Sequence, residues 1–98
     1  MYTTVWEYHV AAGREQEFEQ LYGDTGEWVK LFRTAPGFIR TLLWRDVADP
    51  TRYLTLDRWR SADDYAAFRE ASVTAYARID TAGQDLTQAE RHLGSFES

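Results

Sequence analysis

The chain has 98 residues, 44% of them hydrophobic and 28% charged, which are the proportions of one ordinary globular domain over residues 1–98. A net charge of −5 argues against nucleic acid and against an anionic membrane surface, and the lack of cysteine excludes disulfides, thiolate nucleophiles and zinc–thiolate sites. The aromatic share, 15% with four Trp, is more than a small core usually needs, and a core, a subunit interface or a ligand pocket can absorb the excess.

In chain order, YTTVWEYHV (Tyr2–Val10) is β-branched and aromatic and reads as a strand closed by Gly13. From Arg14 the period becomes helical, with Phe18, Leu21 and Tyr22 on one face and early glutamates at the positive end of the helix dipole. GDTG (Gly23–Gly26) interrupts it, and Trp28, Leu31, Phe32 and Ala35 then recur at i, i+3, i+4 and i+7. The expectation is one long helix, kinked or broken at the glycines and ending before Pro36. Gly37–Val47 is a second strand, ADPT a turn, and Arg52–Trp59 a third strand. Ser61, with Asp64 three positions on, approximates a capping box for a helix through DDYAAFREA and AYARID, striped by Tyr65, Phe68, Val73, Tyr76 and Ile79. A polar stretch, TAGQDLTQAE, leads to a short last strand in RHLGSFE. No apolar run approaches the ~20 residues of a membrane span, and the first residues form a strand pattern rather than a signal segment, so a cytoplasmic protein is expected.

The order β-α-β-β-α-β, with right-handed crossovers, predicts an α+β, ferredoxin-like fold: one antiparallel four-stranded sheet with both helices on one face. The other face must then be polar or find a partner. In the third strand Tyr53, Thr55, Asp57 and Trp59 point one way and Leu54 and Leu56 the other; in the first, Trp6, Tyr8 and Val10 oppose Val5, Glu7 and His9. Neither set looks like a solvent face, and a second copy of the sheet is the expected cover.

The segments TVWEYHVAAGREQEFEQLY, APGFIRTLLWRDVADPTRYLTLDRWRSADDYAAF and ERHLGSFE, in that order, resemble the antibiotic biosynthesis monooxygenase family over nearly the whole chain. The marks are the strand exit V..G.E.EF, the PG entering the second strand and the W.S...Y corner. The resemblance implies a homodimeric α+β barrel with a cavity between helices and sheet in each subunit. It also implies, for several members, oxygenation of aromatic polyketides by O2 with no metal or flavin. Trp59 matches a pocket tryptophan, Tyr65 a pocket tyrosine and Arg78 an arginine of the same helix, which would make these three the catalytic set. A pocket asparagine of the family falls where this chain has Thr55. The haem-degrading relatives need an asparagine near Trp6 and a histidine on the second helix. This chain contains no Asn, and Ser61–Asp80 contains no His, so haem degradation is not expected.

Cofactor-free oxygenation asks for a dry aromatic pocket, a base that helps ionise the substrate, and donors for the developing oxyanion. Trp6, Tyr8, Thr55, Asp57, Phe68 and Tyr76 are the expected substrate-binding residues. Trp59 suits a pocket wall, although an indole at a strand–helix corner also serves a core; Trp28 and Phe32 read as core or interface. Asp57 is a candidate base, or the partner of a nearby Arg. His9 and His92 could adjoin if the first and last strands pair, as a shared base or with Glu7 as a metal site; exposed or hydrogen-bonded strand histidines are the simpler account. No cofactor and no metal are expected. Two functions stay open: an oxygenase acting on an aromatic polyketide, anthrone or quinol with O2, and a non-catalytic dimeric barrel that binds a small apolar ligand.

Overall fold

The alternation read from the third strand is the one that organises the protein. In the computed structural model, which describes residues 1–98, Tyr53, Thr55, Asp57 and Trp59 are all buried, whereas Leu54 and Leu56 are half-buried on the opposite face. The elements are β1 (Tyr2–Val10), α1 (Glu15–Tyr22), α2 (Glu27–Phe32), β2 (Phe38–Arg45), β3 (Arg52–Trp59), α3 (Ala62–Ala71), α4 (Val73–Gly83), a 3-10 turn (Gln84–Leu86) and β4 (Thr87–Glu97). The strands lie in the order β2-β3-β1-β4, and each neighbouring pair is antiparallel. This is the expected ferredoxin-like fold.

Boundaries moved where backbone pairing outweighed side-chain pattern. The first helical region is broken at Gly23–Gly26 into α1 and α2, and it ends before Pro36 as expected. A side chain at Gly26 would collide with the Leu21 carbonyl, so the chain can return this sharply only at glycine. The second region breaks at Ser72. β4 starts at Thr87, inside the stretch taken for a polar connection, because β1 needs partners for Glu7–Val10 and an edge strand tolerates polar side chains. The capping box at Ser61 is half made. Ser61 Oγ accepts from the Asp64 amide at 3.1 Å, but the Asp64 carboxylate accepts from Arg60 Nε at 2.9 Å instead of turning back. Gly37 enters β2 at φ 89°, in the left-handed region, with Asp64 standing where its Cβ would be.

The register pairs Thr4 with Asp57, Trp6 with Thr55 and Tyr8 with Tyr53 on the helix-covered face. Against them pack Phe18 and Tyr22 of α1, Trp28 and Phe32 of α2, Phe68 of α3 and Ile79 of α4, making a core that is mostly rings. The other face carries Val5, Leu42, Leu54 and Leu56, with Trp44 52% and Phe96 56% exposed, and no element of the chain covers it. At one end of this face Glu7 accepts from Arg52 Nε at 2.7 Å and meets Arg91 at 3.3 Å. No helix is long and apolar enough to cross a membrane.

Candidate functional site

The helices do not close completely on the sheet. Trp6 and Tyr8 of β1, Thr55 and Asp57 of β3 and Thr41 of β2 floor a slot between the two layers. Tyr22 of α1, Trp28 and Phe32 of α2, Tyr65 of α3 and Tyr76 of α4 wall it, and Asp80 and Glu90 also line it. It encloses ≈ 530 Å³ of empty space counted out through its mouth, of which only ≈ 40 Å³ can hold the centre of a water molecule. The enclosed part has room for roughly three waters, and the rest of the space lies at the open mouth.

Asp57 is the unusual group in it. It is 8% exposed, Thr41 Oγ donates to its Oδ1 at 2.8 Å, and no second protein donor reaches the carboxylate. The Arg partner expected from sequence is not there. Burial pushes Asp57 up to about 6, against the Thr41 hydrogen bond that favours the ionised form. The surrounding phenols move the other way in function: burial raises Tyr76 to about 12 and lifts Tyr8 and Tyr22 well above the usual range, so they remain protonated donors. Tyr65 Oη accepts from Arg69 at 3.2 Å, which leaves its own proton free to donate into the slot. Trp28 Nε1 is buried without a hydrogen-bond partner; Tyr22 Oη lies near it but outside hydrogen-bonding geometry. A ligand acceptor in the slot would satisfy that indole.

The sequence profile of the antibiotic biosynthesis monooxygenase family matches residues 1–78. The chain belongs to this family. Among solved structures it is similar to SnoaB from Streptomyces nogalater, described as a cofactor-independent oxygenase. The two share 24% identity over 99% of this chain and 91% of that one, with a TM-score of 0.80. Two candidate antibiotic biosynthesis monooxygenases are also similar. The one from Nitrosomonas europaea has 19% identity over 100% of this chain and 98% of that one, TM-score 0.76. The one from Deinococcus radiodurans has 14% identity over 100% and 92%, TM-score 0.78. No curated protein sequence gives a significant match.

Within this family member the expected site residues part company. Trp6, Tyr8, Thr55, Asp57, Tyr65 and Tyr76 come together around the slot. Trp59 does not line it. The indole is fully buried behind Tyr65, edge-on to Phe38 at 5.2 Å and to Tyr65 at 5.4 Å. Phe68, 2% exposed, packs against Trp59 and Phe32 and is core too. Arg78 is exposed and borders a separate depression with Leu31 and Glu70. It lies two residues from both Tyr76 and Asp80, so it projects from the opposite side of α4. The histidines are not neighbours: His92 pairs with Trp6, their rings tilted with centroids 4.9 Å apart, whereas His9 pairs with Ala89 and faces Glu7 at 4.0 Å. His92 is held instead by Thr4 at 3.0 Å and Ser95 at 3.3 Å, and no three acidic or imidazole side chains converge as metal ligands. The residues missed were Tyr22, Trp28, Phe32, Thr41, Asp80 and Glu90. The i, i+4 pairs Trp28/Phe32 and Tyr76/Asp80 were the available signal, since each puts two residues on one helix face.

Two expectations follow from these placements. The Asp57 value in the folded protein lies above its ordinary 3.8, so the native state holds this proton more tightly than the unfolded chain. Stability from this group is therefore full at low pH and falls by ~3 kcal/mol as pH rises from about 4 through about 6. Asp57→Asn removes that loss: in urea denaturation the variant should gain on the wild type by this amount between pH 4 and pH 8, and a difference independent of pH would return Asp57 to an ordinary carboxylate. Trp59→Phe should cost ~1–3 kcal/mol of stability and leave the affinity for a flat phenol within about twofold, because the indole is outside the slot. Trp28→Phe should weaken that affinity about fivefold or more, the worth of one hydrogen bond, as read by calorimetric titration.

Proposed function

We propose that the protein is a cofactor-independent monooxygenase that oxygenates an electron-rich aromatic small molecule, an anthrone or quinol, with O2 in this slot. The observation that carries the reading is Asp57: a carboxylate buried among rings, with one hydrogen bond and a value near 6. At neutral pH such a group is ionised yet more basic than a surface aspartate, which suits a proton acceptor. Family membership supports the reaction type, and the aromatic walls support the substrate class.

For an anthrone the chemistry balances without an added reductant. Asp57 takes a proton from the activated CH2 carbon, and the resulting carbanion passes an electron to O2. The two radicals join as a C–O bond, and the peroxide anion recovers the proton from Asp57. Loss of the remaining C–H proton and cleavage of the O–O bond give the quinone and water. One oxygen atom enters the product, the other leaves as water, and the substrate supplies all four electrons. Tyr65 and Trp28 are the donors available to developing negative charge on oxygen, and closure by the aromatic walls keeps water from protonating the carbanion.

The proposed assembly is a homodimer in which two open sheet faces pack together. Val5, Leu42, Leu54, Leu56 and Trp44 form an apolar surface there with no cover in the chain. Sedimentation equilibrium at micromolar concentration should give twice the 11.4 kDa chain mass. Trp44→Glu should shift it towards monomer, and a wild type that is monomeric throughout would remove this part of the proposal.

Oxygen-electrode measurements test the reaction. Protein treated with chelator should accelerate O2 uptake by an anthrone, and Asp57→Asn should lower the rate ~100-fold or more, the usual worth of general base catalysis. Tyr65→Phe should lower it ~10–1,000-fold if the hydroxyl serves the oxyanion. Binding of these aromatics without acceleration of any of them would leave a non-catalytic dimeric barrel that holds a small apolar ligand.

A further inference from the structure

The slot has a charge as well as a shape. Asp57 lies inside it, Asp80 and Glu90 also line it, and no Arg, Lys or His does. Tyr22, Asp80 and Glu90 are shared with a shallow depression that continues past Gly83, Gln84 and Thr87 between α4 and β4. The two carboxylates therefore stand at the junction where the slot opens to the surface. Glu7, Glu17, Asp46 and Asp64 have arginine partners. Asp57, Asp80 and Glu90 take part in no such pair. Burial, and then the charge of Asp80, raises Glu90 above the usual range, so the two carboxylates repel each other.

The walls next to this mouth are independent of the acids and point the same way. Tyr22, Trp28 and Tyr76 stand together, Trp28 edge-on to Tyr76 at 4.8 Å and 6.2 Å from Tyr22. Such rings attract a cation through their negative faces. The Tyr76 ring already does so, with the Arg69 guanidinium 4.1 Å from its centroid. Arg69 lines neither the slot nor the depression, and its charge also acts on Asp80 from outside them. Two indole N–H groups, those of Trp28 and Trp59, are buried without a partner, and the one on Trp28 belongs to the slot lining, where a ligand acceptor could satisfy it.

We propose that the ligand is an arylalkylamine: an electron-rich aromatic ring lies in the slot, and a short alkyl chain places its protonated amine at the mouth between Asp80 and Glu90. This deepens the oxygenase reading and rests on its assignment of the slot as the substrate site. An anionic side chain would have to pass the same two carboxylates, so discrimination against acids comes from repulsion as well as lost attraction.

Three catechols of one size test it: dopamine, 4-ethylcatechol and 3-(3,4-dihydroxyphenyl)propionate, which carry positive, zero and negative charge. Calorimetric titration of the wild-type protein under nitrogen at pH 7.5 and low salt should rank them in that order, with dopamine about tenfold or more tighter than the propionate. The ratio should shrink on adding about 0.5 M NaCl. In the double variant Asp80→Asn, Glu90→Gln the ratio should fall to within about twofold; circular dichroism checks that the variant is folded, and the salt series tests the same charge dependence in wild type. Equal affinities, a reversed order, no binding by any of the three, or a ratio that survives the double variant would overturn the inference. Equal affinities with intact O2 uptake would leave the oxygenase reading standing. A clear preference for the amine with no O2 uptake from any aromatic substrate would remove that reading and keep the inference.

Discussion

A single layer of aromatic rings between sheet and helices holds this molecule together. Phe18 stacks on Tyr22 at 4.3 Å, Phe32 meets Phe68 and Trp59 edge-on at 5.3 and 5.7 Å, and Trp59 closes on Phe38 and Tyr65. Rings bury large areas and add edge-to-face attraction, which gives a 98-residue domain its core. They are also stiff and flat, and a layer of them cannot fill space as branched aliphatic chains do. The slot is the consequence: it lies where rings from both helical regions and both central strands meet at angles and fail to interlock.

That geometry decides what Asp57 becomes. A carboxylate on the covered face of a central strand would ordinarily be paired or replaced, because burying its charge costs stability. Here Thr41, one strand over in register, supplies the only hydrogen bond, and the residual cost appears as the raised value. A group so placed opposes folding at neutral pH and holds its proton more tightly than a surface aspartate. The helical side of the sheet thus combines the aromatic core of the chain with a buried carboxylate that has one hydrogen bond.

The two faces of the sheet divide the labour. The covered face makes the core and the slot. The open face carries Leu42, Leu54, Leu56 and Trp44, with the Glu7, Arg52 and Arg91 charges gathered at one end. A polar cluster beside an apolar patch would give the proposed contact between copies both area and register. Since β1 and β3 contribute to both faces, such a contact would also stiffen the floor of the slot.

Sequence alone determined the layers. Alternation in Arg52–Trp59 separates Tyr53, Thr55, Asp57 and Trp59 from Leu54 and Leu56 because a strand has a period of two, and helical spacing puts Tyr65, Phe68 and Tyr76 on the covered side. What it does not contain is depth within a face. Trp59 and Asp57 share one side of one strand, yet the indole is sealed behind Tyr65 while the carboxylate borders the slot, and only the height and tilt of α3 above the sheet decide between them. Arg78 fell on the wrong side because it stands two residues from Tyr76 and Asp80, which line the slot from the same helix. His9 and His92 were set apart by the register of β4, which slips between Val5 and Trp6 and again between His9 and Val10. Asp80 and Glu90 meet only because that early-starting strand runs beside the end of α4. Period is a property of local backbone geometry and is written in the order of residues; which of several inward-facing groups borders empty space is a property of how separate elements pack, and only the tertiary structure decided it.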